Sequence, residues 1–222
     1  MVAKKEKKRK STTRTTDYHH GDLKRALMVA ASELLEEVGY EGFTLRKCAA
    51  RAGVSPSAPA HHFQDANGLL NSLAVEGFQS LSSKLRAKFL SMPKDAENPC
   101  SVASVEYLRF AKSNPALYKV MFGSRLDADN PELKSASKAC FENLHLSVSE
   151  IFPDKNREDI NAISVQMWSS IHGLAMLLIE GRLNFLIGKD GFNSLLALES
   201  AWRNVQSGLF VTQKNDQPRS MK

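Results

Sequence analysis

The chain has 222 residues, enough for one larger domain or for a small domain joined to a medium one, each with a real apolar core. Hydrophobic residues at 42% and charged residues at 24% exclude bulk disorder and fibrous repeats. The formal net charge is +6, and most of the excess sits in the first ten residues, where Lys4, Lys5, Lys7, Lys8, Arg9 and Lys10 stand against Glu6 alone.

The longest uninterrupted apolar stretch, Leu174 to Ile179, is stopped by Glu180, far short of the roughly 20 residues a membrane span requires, so no transmembrane helix is expected. The lysine run has no apolar segment behind it and does not resemble a secretory signal, which points to a cytoplasmic protein. Cys48, Cys100 and Cys140 are odd in number and scattered, so neither a disulfide framework nor a zinc knuckle is suggested. Walker loops, GxGxxG after a strand, GxSxG and HExxH are all missing from the sequence, and Cys140 and His145 lie five apart rather than at the facing i, i+4 spacing. No enzymatic activity is expected.

Residues 1 to 17 are rich in Lys, Thr and Ser without periodicity and are expected to be disordered until something binds them. Such a tail either contacts phosphates by releasing counterions or serves as a solvated leader. From Asp22, a candidate N-cap, Leu23, Leu27, Ala30, Ala31, Leu34, Leu35 and Val38 recur at helical spacing, and Gly39 follows as a stop. Thr44 caps a short second helix with Leu45, Cys48, Ala49 and Ala52 inward, and Gly53 turns the chain. Ser55 with Pro56 starts a third helix, because proline at the first helical position sacrifices no hydrogen bond.

Asp65 caps a long fourth helix striped by Leu70, Leu73, Phe78, Leu81, Leu85 and Phe89, and Met92-Pro93 ends it. Asn98-Pro99 and Asn114-Pro115 punctuate shorter helices, and Asn130-Pro131 opens one running to about Ile151. Two more are expected at about Asn156 to Leu186 and, after Gly188 and Gly191, at about Asn193 to Val211. Nothing alternates like a strand, so the expected class is all-α with about nine helices.

The stretch from Leu174 to Ile179 is apolar on every face and has to be covered from more than one side. In the final helix Leu195, Leu198, Trp202, Val205 and Leu209 step by three and four, a packing seam that closes either the protein's own core or a two-fold interface. With Leu174 and Leu178 beside it, an interface made by both helices is favoured.

The segment TLRKCAARAGVSPSAPAHHF, residues 44 to 63, carries the functional signal. Two helices cross closely only where the facing residue is small and the turn residue tolerates positive φ; Ala49 and Gly53 supply both, with Val54, Ala58 and Phe63 packing the underside against the first helix. This spacing suits a DNA-binding helix-turn-helix, and also an ordinary helical hairpin in a bundle.

Tyr18-His19-His20-Gly21-Asp22-Leu23, the segment above and the following DANGLL together resemble the N-terminal domain of the TetR family over about residues 18 to 80. NPALYKVMFG at 114 to 123 and MWSSIHGL at 167 to 174 are similar to a C-terminal variant of that family marked by a Trp and a His-Gly in the penultimate helix. The resemblance implies a DNA-binding domain over 18 to 66, with the fourth helix linking to about 92, a ligand-binding and dimerisation domain over 67 to 212, and a tail over 213 to 222. It further implies a homodimer joined by its last two helices, each subunit offering one head to a palindromic DNA site.

The DNA-facing positions it implies are Thr44, Arg46 and Lys47 at the start of the second helix and Ser55, Ser57, Ala58, His61 and His62 on the third. Hydroxyls and helix N-termini suit phosphate oxygens, and Arg46 suits a guanine edge. Two positions depart from the family pattern: Ala60 stands where a tyrosine is usual and Ala66 where a lysine is usual, and both usual residues contact phosphate. Their loss is expected to weaken each half-site by about 1 to 3 kcal/mol per contact. The basic tail is a candidate for compensation, so deleting residues 2 to 10 is expected to weaken DNA affinity and flatten its salt dependence.

Adjacent histidines such as His19-His20 and His61-His62 point in different directions on a helix, and no Cys or carboxylate completes a tetrahedral set, so neither a metal nor another cofactor is expected. In the rear domain Tyr107, Phe110, Tyr118, Met121, Phe122, Phe141, Met167 and Trp168 are more soft and aromatic side chains than packing demands, with His145 and His172 as polar anchors. Their spacing equally fits plain core. The resemblance places a cavity among these helices, for an apolar or aromatic effector of drug size. The expected function is a ligand-released repressor; the alternative is a sensing or interaction module of this fold with weakened or lost operator binding.

Overall fold

A computed structural model describes residues 20–92 and 99–187. Every regular element in them is a helix: α1 (His20–Gly42), α2 (Leu45–Arg51), α3 (Ala58–Phe63), α4 (Ala66–Leu90), α5 (Pro99–Ser113), α6 (Pro115–Met121), α7 (Pro131–Ile151), α8 (Arg157–Ile179) and α9 (Asn184–Ile187). The all-α class holds. Both tails and the expected final helix, with Leu195, Leu198, Trp202, Val205 and Leu209, lie outside the described residues.

Short polar side chains start the helices by satisfying amides that have no partner within the helix. Thr44 Oγ1 accepts from the Lys47 amide at 3.3 Å, Asp65 Oδ1 from Gly68 at 2.8 Å, Asn130 Oδ1 from Leu133 at 3.0 Å and Asn156 Oδ1 from Asp159 at 3.0 Å. Prolines 99, 115 and 131 each open a helix, where a missing amide hydrogen costs nothing. Asp22, expected to precede the first helix, lies inside α1, which runs from His20. Gly39 does break that helix, at φ 70° and ψ 176°, though helical structure resumes to Gly42.

The third helix starts later than expected. A helix opened by Ser55-Pro56 needs an amide hydrogen at residue 59 to reach the Ser55 carbonyl, and Pro59 has none. The Ala58 amide takes that carbonyl instead at 3.0 Å, closing a turn, and α3 begins at Ala58 with Pro59 in its first turn. The helix expected to run to about Leu186 likewise stops at Ile179. Gly181 adopts φ 68°, its amide reaches Leu178 O at 3.0 Å, and the Arg182 amide reaches Leu177 O at 2.9 Å. That pair of bonds is the Schellman stop.

α4 is the spine of the molecule. Leu69, Leu70 and Leu73 join Leu27, Leu34 and Leu35 of α1, Phe43, Cys48 and Phe63 in one apolar core, which continues through Phe78, Leu81 and Leu85 to α5, α6 and α7. A smaller cluster of Cys100, Val148, Ile160, Ile163 and Met167 closes the α5, α7 and α8 corner. By length and composition α8 could cross a membrane, contrary to the expectation from the short apolar stretch. In the fold its Ile160, Ile163, Met167, Ile171, Ala175 and Leu178 stripe is buried, and α8 packs on α5 and α7 as a core helix.

The front and rear halves are riveted where Gly123 to Asp127 meets α1 and α4. The Arg125 amide donates to Tyr40 Oη at 2.7 Å, its guanidinium reaches Tyr40 O at 3.4 Å and Asn67 Oδ1 at 3.3 Å, and the Asp127 amide donates to buried Asn71 Oδ1 at 3.0 Å.

Candidate functional site

The front of the molecule presents α3 on a corner built by Gly53. Its φ of 68° lies in the left-handed region that glycine enters freely. The Gly53 amide bonds Ala50 O at 3.2 Å and the Val54 amide bonds Ala49 O at 3.0 Å, so α2 ends in the same Schellman arrangement and the chain leaves it at a fixed angle. Pro59 and Phe63, four apart, are buried as the underside of α3. Residues between them project away, and Ser55, Pro56, Ser57, Ala60 and His61 are exposed while Ala58 and His62 are half-buried.

The far end of α3 is clamped to α4. A Cβ on Gly68 would meet Phe63 O at 1.9 Å, so only glycine lets α4 start against that carbonyl. The Phe63 carbonyl also accepts from the Asp65 amide at 2.7 Å. Gln64, at φ 65°, carries the strained link between the two helices.

On α2, Thr44, Arg46 and Lys47 are all solvent-exposed. Lys47 Nζ bonds Gly42 O at 2.9 Å, holding it against the end of α1, whereas Arg46 extends into solvent. Ser55 Oγ and Ser57 Oγ lie 3.2 Å apart and leave acceptor and donor capacity for a further group. Arg51 is committed elsewhere, paired with Glu37 and, at 3.6 Å, with Glu33 of α1. Ala60 is exposed and Ala66 packs on the core, so neither offers a phosphate a donor.

Behind this head, α4, α5, α7 and α8 enclose a cavity of about 620 Å³, within the usual size range of small-molecule sites. Of the ten rear-domain candidates, Tyr107, Phe122, Phe141 and Trp168 line it. Phe110, Tyr118 and Met121 are instead buried in the main core, and Met167 in the smaller cluster. Their side chains fill helix–helix seams, which aromatic and Met residues do as readily as they line pockets. His145 is half-buried on α7 away from the lining.

His172 does not line the cavity but ties its wall together. Fully buried Tyr118 donates its hydroxyl to Tyr107 Oη at 2.9 Å, and the same oxygen lies 2.7 Å from His172 Nδ1. Tyr107 Oη is 3.2 Å from that nitrogen and accepts from Trp168 Nε1 at 3.4 Å. The His172 ring stacks on Tyr118 and meets Phe122 edge-on at 4.4 Å between centroids. Burial pushes the Tyr107 hydroxyl up to about 12, raises Tyr118 further, and lowers His172, which favours the neutral imidazole.

Residue type alone does not reveal the other lining residues, among them Phe78, Leu81 and Leu85 from α4, Ser104 from α5, Ile171 from α8, and the charged Arg86, Lys134 and Lys138. On α8, Leu174 is half-buried, whereas Leu178, expected at an interface, is 5% exposed and belongs to the chain's own core. The large apolar residues that α8 exposes are Val165 at 51%, Trp168 at 38% and Leu177 at 44%. Among the described residues no group of three metal-binding side chains occurs.

Two family profiles match the chain: residues 27–73 match the bacterial regulatory proteins of the tetR family, and residues 103–197 match the tetracyclin repressor-like C-terminal domain. Among curated relatives, the nucleoid occlusion factor SlmA of Vibrio cholerae is 26% identical over 183 residues, covering 79% of this chain and 92% of its own. A protein of unknown function from Rhodococcus sp. RHA1 superposes with a TM-score of 0.68 at 28% identity, covering 85% of this chain and 98% of its own. The transcriptional regulator FadR from Bacillus subtilis, solved in complex with stearoyl-CoA, has a TM-score of 0.59 at 18% identity, covering 79% of this chain and 96% of its own. With its reading head matched by one profile and its cavity-bearing rear half by the other, this chain belongs to the TetR family of transcriptional regulators.

Proposed function

We propose that the protein is a cytoplasmic homodimeric repressor that reads a palindromic operator with paired α2–α3 heads and is released by a small, largely apolar effector in the rear cavity. The single observation that carries this is the corner at Gly53, which leaves Ser55 to His62 projecting as a rigid finger while Pro59 and Phe63 hold it from beneath. Ser55, Ser57 and His61 reach for backbone phosphates and Arg46 for a base edge, with Thr44, Lys47, Ala58 and His62 framing the contact. The dimer forms through the end of α8, where Leu177 is exposed and Leu174 half-buried on the same side, and the seam that follows it in sequence.

The cavity is wired to the head. Phe122 lines the cavity, and three residues later Arg125 grips Tyr40 of α1 and Asn67 of α4. An occupant that displaces Phe122 therefore pulls on the head, and it shifts the dimer away from DNA by no more than its differential affinity for the two spacings.

A second reading is favoured by Ala60 and Ala66, which remove two phosphate contacts, and by the likeness to a protein named for nucleoid occlusion rather than for repression of a gene. In it the fold serves as a sensing or interaction module with little operator specificity. Fluorescence-anisotropy titration against the DNA upstream of the protein's own gene and against a scrambled duplex, at two salt concentrations, separates the two. Tighter binding to the upstream DNA at both salts supports the repressor; equal, steeply salt-dependent binding to both supports the module.

A further inference from the structure

The rear cavity is chemically lopsided in a way that specifies its occupant more narrowly than size does. Its floor is apolar: Phe78, Leu81, Leu85, Phe122, Phe141 and Ile171. Its charged lining residues are Arg86, Lys134 and Lys138, three cations, with no Asp or Glu among the residues that line it. Arg86 comes from α4; Lys134 and Lys138, one turn apart, come from α7. All three are solvent-exposed and so stand on the rim rather than in the depth. Because Asp127 N bonds Asn71 Oδ1 at 3.0 Å and Asn143 Nδ2 bonds Ser82 Oγ at 2.8 Å, α7 runs alongside α4, and the lysines lie toward one end of the rim and Arg86 toward the other.

The buried polar side chains of the lining are already bonded within the protein. Tyr107 Oη accepts from Tyr118 and Trp168, Ser104 Oγ donates to Cys100 O at 2.7 Å, and Ser147 Oγ donates to Asn143 O at 2.9 Å. At the mouth the balance is reversed. Among the described residues Lys134 pairs only with Asp129, at 2.8 Å, so exposed a pair that it competes weakly with a ligand. Arg86 and Lys138 form no salt bridge among the described residues. Burial holds the lining thiol Cys140 up at about 12, so it adds no negative charge to the site.

We infer that the effector is an anionic amphiphile whose apolar body fills the cavity and whose acid group is held at the rim by the lining cations, the Lys134–Lys138 pair of α7 or Arg86 of α4. The inference rests on the reading of this cavity as the effector site and narrows its ligand class. A free carboxylate and the phosphates of an acyl thioester share the required chemistry. A neutral lipid or a lipophilic cation does not.

The test is calorimetric titration of the full-length protein, without DNA, with dodecanoate, dodecanoyl-coenzyme A, dodecanol and dodecyltrimethylammonium. The expected result is one anionic ligand per protomer, bound at least tenfold more tightly than dodecanol or the cation, with each methylene added to a shorter acid tightening binding about fourfold. Tighter binding of the acid than the thioester identifies a compact head site, and the converse a phosphate-reading one. In the Arg86→Glu/Lys138→Glu double variant, anion affinity falls at least tenfold, dodecanol binding changes less than twofold, and the melting temperature holds. Equal binding of dodecanol and dodecanoate, indifference of the anions to the double variant, or no binding of any probe overturns the inference. Release from operator by a neutral compound that fills the cavity leaves the repressor standing and removes this ligand class; anion binding by a protein that ignores its upstream DNA does the reverse.

Discussion

Two glycines flank the reading head, and replacing each by alanine probes a different physical cause. At Gly53 a Cβ meets nothing within 4 Å, so the whole cost is the left-handed φ of 68°. An L-residue pays about 1 to 2 kcal/mol there, and the stiffer unfolded chain returns about 0.4 to 1 kcal/mol. Gly53→Ala is therefore expected to lose about 1 kcal/mol, or about 2–4 °C in melting temperature for a chain of this size. Gly53→Asn loses less, because asparagine tolerates that conformation.

At Gly68 the added Cβ would stand 1.9 Å from Phe63 O, and the two backbones have to separate by roughly 1 Å in a region packed too densely to absorb it. Gly68→Ala is expected to cost about 3 kcal/mol, the upper part of the overpacking range, or about 6–12 °C. The displaced end of α3 also drops operator affinity at least tenfold at a temperature where the protein remains folded. Thermal melts at fixed protomer concentration, with anisotropy on the same samples, measure both effects. A Gly68→Ala variant no less stable than Gly53→Ala, or a Gly53→Ala variant more stable than the parent, refutes the described corner.

Three further outcomes follow from the described contacts. Tyr118→Phe keeps the ring stack but removes the central hydroxyl of the buried triangle, at a cost of about 1 kcal/mol seen as about 2–4 °C in a thermal melt; an unchanged midpoint contradicts the triangle. His172 has its protonation suppressed by burial, so below its ordinary value of 6.5 the unfolded chain takes up a proton that the folded chain resists. Its contribution to stability is thus full above that pH and falls on acidification, and urea midpoints at pH 7 and pH 5 should separate less in His172→Gln than in the parent. Arg125→Ala frees Tyr40 O and Asn67 while the backbone bond to Tyr40 Oη persists, so amide exchange at residues 40 to 42 should accelerate with α8 unchanged; equal acceleration in both argues against a local rivet.

Local chemistry was the legible part of this chain. Thr44, Asp65, Asn130 and Asn156 cap the helices they precede, and Gly53 turns where its neighbours' sizes require, because caps and turns depend on a few adjacent residues. Two prolines three apart misled the start of α3, since the decisive fact was the amide that Pro59 lacks, one turn beyond Pro56. The end of α8 was written in Gly181, but the apolar run before it suggested continuation.

That same run hides its own phase: with apolar residues on every side, sequence spacing does not say that Leu178 faces inward and Leu177 outward, and only packing against α5 and α7 decides it. The cavity was legible as chemistry and not as membership. Tyr107, Phe122, Phe141 and Trp168 line it, whereas Phe110, Met121 and Met167, alike in type, fill seams. Nothing in the sequence marks Arg86, Lys134 and Lys138 as lining residues; only the packing of α7 against α4 puts them on the rim of one cavity.

The most direct test of the DNA-reading head is an anisotropy titration of the upstream duplex with the parent protein and with Arg46→Ala/Ser57→Ala/His61→Ala, three exposed changes that leave the packed underside of α3 untouched. The variant should bind the upstream duplex no better than a scrambled one while melting within about 2 °C of the parent, in keeping with surface substitutions. Sequence-selective binding at parental strength by that variant would mean that the finger beyond Gly53 does not touch the operator.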